Sequence, residues 1–459
     1  MSADRPRSDI KEPVPLSFPQ RRIWFLQNLY DDTVMYNVTQ CFHIQGVLEI
    51  EAVRAALNAL AMRHEPLRSR FQIARDGTPF QWFDKEPQIA IEYTDTGNTP
   101  AAHRRDQAGR IMREAITRPF NLFDGPLMRV VCARLSESES ILLFVKHHLV
   151  TDGWAWTILL QEFKTLYTAM TGGLPPPSLP SLKLRYSDFA KNQAKLLTDE
   201  NVTKKRLYWH AFFSGHSHTG HDGRTLFRYG GNDVFPSYGS AWQTIPTGTI
   251  IECKANASRH QCTLFLLALT AICLFVRHLY RDPRVVVCLA YRNRRRPGTL
   301  QLVGCFFTNL ILSLHIPSEY KTVQMLQDVK EAYLHARLQQ DMPFEMFASD
   351  LDLECTRQKQ PPYRVYCSYH PADYEVEFKL PDARLTPMEA ETGRNTREDI
   401  VFNIRERLSE GMLHLDIQWL WRTDVFDRET ITGLFPKMEV LFRELGGDVG
   451  ESLGETPDH

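Results

Sequence analysis

The stretch from Ile141 to Met170 restricts this chain more than any other. Ile141-Leu142-Leu143-Phe144-Val145 is a short unbroken apolar run, as in a buried strand. His147-His148 close it, Asp152-Gly153 follow, and Trp154 to Met170 reads as a helix. The histidines therefore stand at a strand exit and the Asp-Gly at a helix entrance. A base held there on rigid structure suits proton transfer.

The rest of the chain gives this junction a mixed α/β setting. With 459 residues there is room for two large subdomains. Val53, Leu57 and Leu60 repeat at helical spacing over Ile50 to Arg63, before Pro66. Ala108, Ile111, Met112, Ala115 and Ile116 form a second helical stripe, and Leu127–Leu135 with Ile141–Lys146 forms a strand hairpin around a Ser/Glu turn. Gly172 to Pro180 is rich in proline and reads as a linker. Beyond it, Thr263 to Leu279 is a long apolar helix, and Val285–Leu289 and Leu310–Ile316 are strands. Leu413, Leu415, Ile417 and Trp419 alternate with polar neighbours as in a half-buried strand. Asp427 is placed to cap a final helix that Pro436 should kink or delay. The expected division is a flexible lead at 1–15, a subdomain at 16–175, a linker at 176–185, a second subdomain at 186–448 and a flexible tail at 449–459.

Apolar residues make up 43% and charged residues 24%, a globular composition, and the net charge of -1 gives no support for nucleic acid or an anionic membrane as partner. The longest apolar run, Thr263 to Val276, is shorter than the ~20 residues of a membrane helix. Nine scattered cysteines without a CxxC suggest a reducing cytoplasm. A cytoplasmic monomer is the expectation.

The pattern HHxxxDG over His147–Gly153 resembles the core motif of the condensation domains of nonribosomal peptide synthetases, within the chloramphenicol-acetyltransferase-like acyltransferases. Other segments resemble that family's further motifs in order. Ser17 to Leu26 looks like SxAQxRxWxL, Arg63 to Phe71 is similar to RHExLRTxF, and Tyr186 to Ala190 to YxDYA. Val303 to Asn309 resembles IGxFVNT and Gln340 to Glu345 resembles QDYPFE. The resemblance implies two α/β subdomains in a V with a tunnel between them. It also implies transfer of an acyl or aminoacyl group from a carrier-protein phosphopantetheine thioester to an amine or alcohol, giving an amide or ester. The chain departs from the family at Ala155, where serine is common, at the inverted Thr308-Asn309, and at Ser313 in place of arginine.

Alternating side chains along a strand cannot both face one tunnel. By resemblance His148 faces the reacting groups and His147 packs behind. An ordinary histidine titrates near ~6.5, so His148 could take a proton from the nucleophile, or position it and stabilise the tetrahedral state. Asp152 is either a direct partner of His148 or an anchor that caps the helix and pairs with an arginine. The family favours the anchor, with Arg63 the first choice of partner and Arg68 the second. Gly153 offers close backbone approach, an N–H for oxyanion charge, or only a tight turn. Trp154, Ala155, Thr308 and Asn309 are expected along the tunnel, with Trp154 read first as a packing residue. There is no GxSxG and no Cys/His signature, which fits one-step attack on a thioester.

His216, His218 and His221 look like a metal cluster, but spacing without supporting residues is weak, and no metal is expected. The basic run Arg292-Asn293-Arg294-Arg295-Arg296 reads first as a solvated loop, and second as a docking patch for a carrier protein. Leu445-Gly446-Gly447-Asp448 resembles a carrier LGGxS, but Val449 stands where the modified serine belongs. The chain is therefore read as a free-standing condensation enzyme that binds no cofactor of its own. Its substrate arrives on the phosphopantetheine of a peptidyl or acyl carrier protein, and its acceptor is a small molecule or is carrier-bound. Two alternatives are a coenzyme A-dependent acyltransferase and a non-catalytic recruitment domain.

Overall fold

Met128–Ser136 and Glu139–His147 pair antiparallel around a tight turn, Met128 opposite Lys146 and Val131 opposite Leu143. This hairpin supplies the fourth and fifth strands of a six-stranded sheet in the computed structural model, which describes residues 13–30, 34–173, 177, 179–214, 237–347, 362–372, 378–389, 398–447 and 452–453. The strand order is Phe378–Leu380, Ala383–Met388, Asn37–Gly46, Glu139–His147, Met128–Ser136, Ala90–Asp95. Only the last pairing is parallel. Side-chain alternation sorts the central strand between two faces. Leu142 and Phe144 pack with Val53, Leu57, Leu60, Trp156 and Phe163 from the helices Ile50–Arg63 and Gly153–Thr171. Ile141, Leu143 and Val145 pack with Ala108, Met112 and Ile116 of the helix Arg104–Thr117. The strand is thus covered on both sides, which explains its unbroken apolar run.

This sheet belongs to one of two units, which holds the described residues through Val202, Arg292–Phe307 and the strand pair at 378–388. The other unit holds the remainder. Its six-stranded sheet runs Thr308–His315, Arg284–Tyr291, Val365–His370, Ile400–Ser409, Met412–Arg422, Tyr238–Ile245. The helices Thr247–Arg259, Leu264–Tyr280 and Phe435–Gly446 contribute to its core, where Phe275, Phe402 and Trp419 meet edge to face. The final helix is two pieces, Arg428–Gly433 capped by the Asp427 carboxylate and Phe435–Gly446 with Pro436 in its first turn, the position where a missing N–H is harmless.

The division differs from the expected linear one. The first unit does not end at 175: it runs past the proline segment through the helix Tyr186–Ala194. Hydrogen bonds hold that helix in place. The Ser187 amide donates to the Glu65 carboxylate at 2.9 Å, and the Tyr186 hydroxyl donates to the Cys305 carbonyl at 2.6 Å and accepts from Ser17 Oγ at 2.8 Å. Three of the recognised motifs therefore meet at one buried tyrosine. Part of the expected linker, and all of His216, His218, His221, Asp448 and Val449, lie outside the described residues. Among the described residues no single helix is long and apolar enough to cross a membrane.

Gly304 is required where the Arg292–Phe307 segment crosses Tyr186. Its φ is +154°, and a Cβ there would come within 2.4 Å of the tyrosine ring. Gly304→Ala is expected to lose about 2–4 kcal/mol of stability through strain and overpacking. Urea denaturation reads this, and a loss below about 1 kcal/mol would mean that the segment can shift freely.

Candidate active site around His148

The strand Glu139–His147 ends one residue before the second histidine, and His148–Val150 is a single 3-10 turn. That turn is the bend that lets the two rings part. His147 remains in the sheet opposite Asn37 and is fully buried. Its ring lies among Tyr36 and Phe120, 6.2 Å from each, and its Nδ1 accepts the Leu149 amide at 3.2 Å. Burial pushes its titration down to about 3, with the neighbouring His148 a smaller cause in the same direction. His147 is a neutral packing residue.

His148 is partly open to solvent although protein surrounds most of its ring. Nδ1 lies 2.7 Å from the Thr151 carbonyl oxygen, which can only accept, so Nδ1 carries the proton. Nε2 therefore holds the lone pair, and it has no partner among the described residues. Burial pushes the ring's titration down to about 4. The Arg22 charge acts in the same direction, and the Thr151 carbonyl and Asp152 oppose it. The ring stacks on Phe307 with centroids 4.2 Å apart.

Asp152 does not bond to His148. One carboxylate oxygen accepts the Ala155 amide at 2.7 Å and caps the helix Gly153–Thr171. The same oxygen accepts from Arg294 Nη2 at 2.8 Å, and the other accepts the Phe306 amide at 3.0 Å. Arg294 also donates from Nη1 to the Thr299 and Leu302 carbonyls, both at 2.6 Å. Both charged side chains are buried, at 2% and 0% exposure.

The anchoring arginine is thus Arg294, and neither Arg63 nor Arg68. Arg63 lies on the helix Ile50–Arg63, where it grips Glu162 at 3.1 Å and the Pro180 carbonyl at 2.6 Å. Arg68 donates to the Asp84 carbonyl at 2.7 Å. The basic run is also not wholly solvated. Arg295 and Arg296 are exposed, Arg294 is interior, and Arg292 lies 4.4 Å over the Trp154 ring. A carboxylate buried at a helix entrance demands such a partner, but spacing could not say which arginine supplied it.

Gly153 is the first residue of its helix, and its φ is not positive, so no left-handed turn requires it. Trp154 is half-buried and donates from Nε1 to the Leu300 carbonyl at 2.9 Å, a packing arrangement. Ala155 and Thr308 are buried, at 0% and 1% exposure. Asn309 is half-buried in the second unit, near Glu345, Tyr363 and Tyr366 at 3.3–3.4 Å. Among the described residues no cluster of three metal-binding side chains occurs.

The chain matches the family model of the condensation domain over residues 10–447. It belongs to the condensation-domain family. This condensation domain is 27% identical over 452 residues to a linear gramicidin synthase polypeptide of Brevibacillus parabrevis, a match that covers 97% of the chain and 9% of that protein. It is 28% identical over 454 residues to phosphinothricin tripeptide synthetase PhsC of Streptomyces viridochromogenes, covering 98% of the chain and 41% of that protein. The chain thus spans less than a tenth of the gramicidin synthase polypeptide and under half of PhsC. Among solved structures, the X-domain from teicoplanin biosynthesis superposes with a TM-score of 0.80 at 19% identity, covering 98% of both chains. The first condensation domain of the calcium-dependent antibiotic synthetase superposes with a TM-score of 0.74 at 16% identity, covering 96% and 98%. Both share the mixed α/β fold of the two units.

The buried pair gives the first test. Asp152→Asn and Arg294→Leu should each lose about 3–5 kcal/mol, because each strands a buried charge or its ligands. A double-mutant cycle in urea should show strong coupling between these two positions and simple additivity between Asp152 and Arg63. Coupling to Arg63 instead would overturn the assignment.

His147 gives a pH test. The unfolded chain binds a proton near ~6.5 that the folded chain refuses until about 3. Stability therefore falls as pH drops below ~6.5, with a slope approaching about 1.4 kcal/mol per pH unit from this residue. His147→Gln should flatten the slope of urea stability between pH 6 and 4. Coincident slopes for the variant and the wild type would remove His147 as a contributor.

Proposed function

We propose that this condensation domain transfers an acyl or aminoacyl group from a phosphopantetheine thioester on a carrier protein to an amine or alcohol, in nonribosomal peptide or related natural-product assembly. The observation that carries the reading is the state of His148: one nitrogen is committed to Thr151 and the other is an unspent acceptor on a neutral ring. A neutral acceptor suits attack on an activated acyl group. The acceptor nitrogen or oxygen bonds to the thioester carbonyl carbon as its N–H or O–H points at Nε2. The C–S bond then breaks, and the proton leaves with the thiolate as a thiol. Amide or ester and free phosphopantetheine thiol are the products, and His148 ends as it began.

The low titration of His148 favours positioning and brief proton relay over storage of a proton. A covalent nucleophile is unnecessary because thiolate is a good leaving group. Gly153 starts the helix, where an N–H has no intrahelical acceptor, which makes it the candidate donor to oxyanion charge. No bound cofactor enters this scheme: the phosphopantetheine belongs to the carrier.

His148→Ala should lose about 10²–10⁴-fold in turnover with a loaded carrier and an acceptor amine. Unchanged turnover would remove His148 from the chemistry. The same acyl group offered on coenzyme A and on a carrier separates the donor classes, and equal or better use of coenzyme A would sink the carrier reading. A tight carrier complex without turnover on any acceptor would point to recruitment instead.

A further inference from the structure

Phe307 takes part in no hydrogen bond of the site, yet two functional elements converge on its ring. The His148 ring lies 4.2 Å from it at 30°, and the Arg22 guanidinium carbon lies 4.2 Å from its centre. Two groups at that height over one face would overlap, so they occupy opposite faces. Arg22 is buried at 2% exposure on the helix Phe18–Tyr30, His148 follows the central strand, and Phe307 ends the segment that Asp152 anchors through Phe306. Three separate elements form one column.

The column does what the Thr151 hydrogen bond cannot. That bond holds one edge of the imidazole but leaves the ring free to rock about it, and a stacked neighbour blocks the rocking. The aromatic face also matters electrically. A cation over one face draws the ring's electron density towards itself, so the far face is a poor seat for a second cation. A neutral imidazole loses nothing there. Of the other charged or titratable groups nearby, His147 is neutral and Asp152 is spent on Arg294, the Ala155 amide and the Phe306 amide. Lys146 points to the opposite sheet face, 3.4 Å over Trp156.

We propose that Phe307 is a positioning residue: clamped from behind by Arg22, it holds the His148 ring in one plane and in the neutral form that leaves Nε2 free to accept. Its effect on turnover rests on the acyl-transfer reading above. Its effect on the ring does not, and nitrogen NMR of imidazole-labelled protein reads the ring directly. The wild type should show one tautomer, with the proton on Nδ1, and no titration of His148 from pH 8 to 5. Phe307→Leu, confirmed as folded by circular dichroism, should mix the tautomers. It should also raise the midpoint by about one unit or more as water reaches the ring. Phe307→Tyr should restore both properties. With loaded carrier, Phe307→Leu should lose about 10–100-fold in kcat with KM little changed, as misorientation of a reacting group does. An unaltered tautomer and midpoint in Phe307→Leu overturns the proposal, whatever the turnover. A wild type with the expected tautomer but no turnover would sink the acyl-transfer reading and leave the column standing.

Discussion

Asp152 and Arg294 hold opposite charges in a place that water does not reach. Two buried ions carry a desolvation penalty that their attraction offsets only when the remaining donors and acceptors are also satisfied. Here the satisfaction is nearly complete. The carboxylate takes the helix amide of Ala155, the guanidinium and the Phe306 amide, and the guanidinium also reaches three backbone carbonyls of its own segment. One pair thus fixes two things together: the start of the helix Gly153–Thr171 and the path of Arg292–Phe307. Gly304 and Tyr186 then close that path from the other side. Phe307 follows the anchored Phe306 by one residue, so the face presented to His148 depends on a charge pair that never touches the histidine.

The two histidines diverge because of where the strand stops. Alternation sends Val145 and His147 to one face of the sheet and Phe144 and Lys146 to the other, where Lys146 lies over Trp156. Burial drives the Lys146 ammonium well below its usual titration, so this position too favours a neutral side chain. His148 escapes the alternation only because the 3-10 turn begins with it. A strand one residue longer would commit His148 to a sheet face. One residue shorter would free His147 from its aromatic neighbours. The proposed role of His148 depends on that register as much as on residue type.

Much of the architecture could be read from periodicity. The helix Ile50–Arg63, the hairpin around Glu137, the long helix after Thr263 and the alternating strand through Trp419 all lie where spacing placed them, because local pattern and local structure share a period. The motif order also pointed to the family. What spacing could not supply was any contact between distant segments. Arg63 and Arg68 looked like partners for Asp152 because they carry a motif, whereas the true partner lay inside an arginine run that read as solvent-facing. Ala155 packs into the core beside Phe144 and Trp156, a contact that spacing does not show. The unit boundary was missed for a related reason: prolines mark a break in secondary structure, not a break in packing, and Tyr186 packs back across it.

A histidine that titrates near 4 would be a poor base if it had to hold a proton. The thioester aminolysis proposed above makes different demands. The amine loses its proton only as the C–N bond forms, and the departing sulfur can take it as the C–S bond breaks. What the ring must do is present a lone pair at one point and remain uncharged before and after. Burial, the Arg22 charge and the Thr151 carbonyl together specify that state: the first two exclude the imidazolium, and the third decides which nitrogen stays bare. A more basic histidine would be partly protonated at neutral pH, with both nitrogens acting as donors, and the acceptor site would be lost in that fraction of molecules. On the proposed thioester reading, the depressed titration of His148 serves readiness, and proton affinity is supplied by the donor's own sulfur at the moment it is needed.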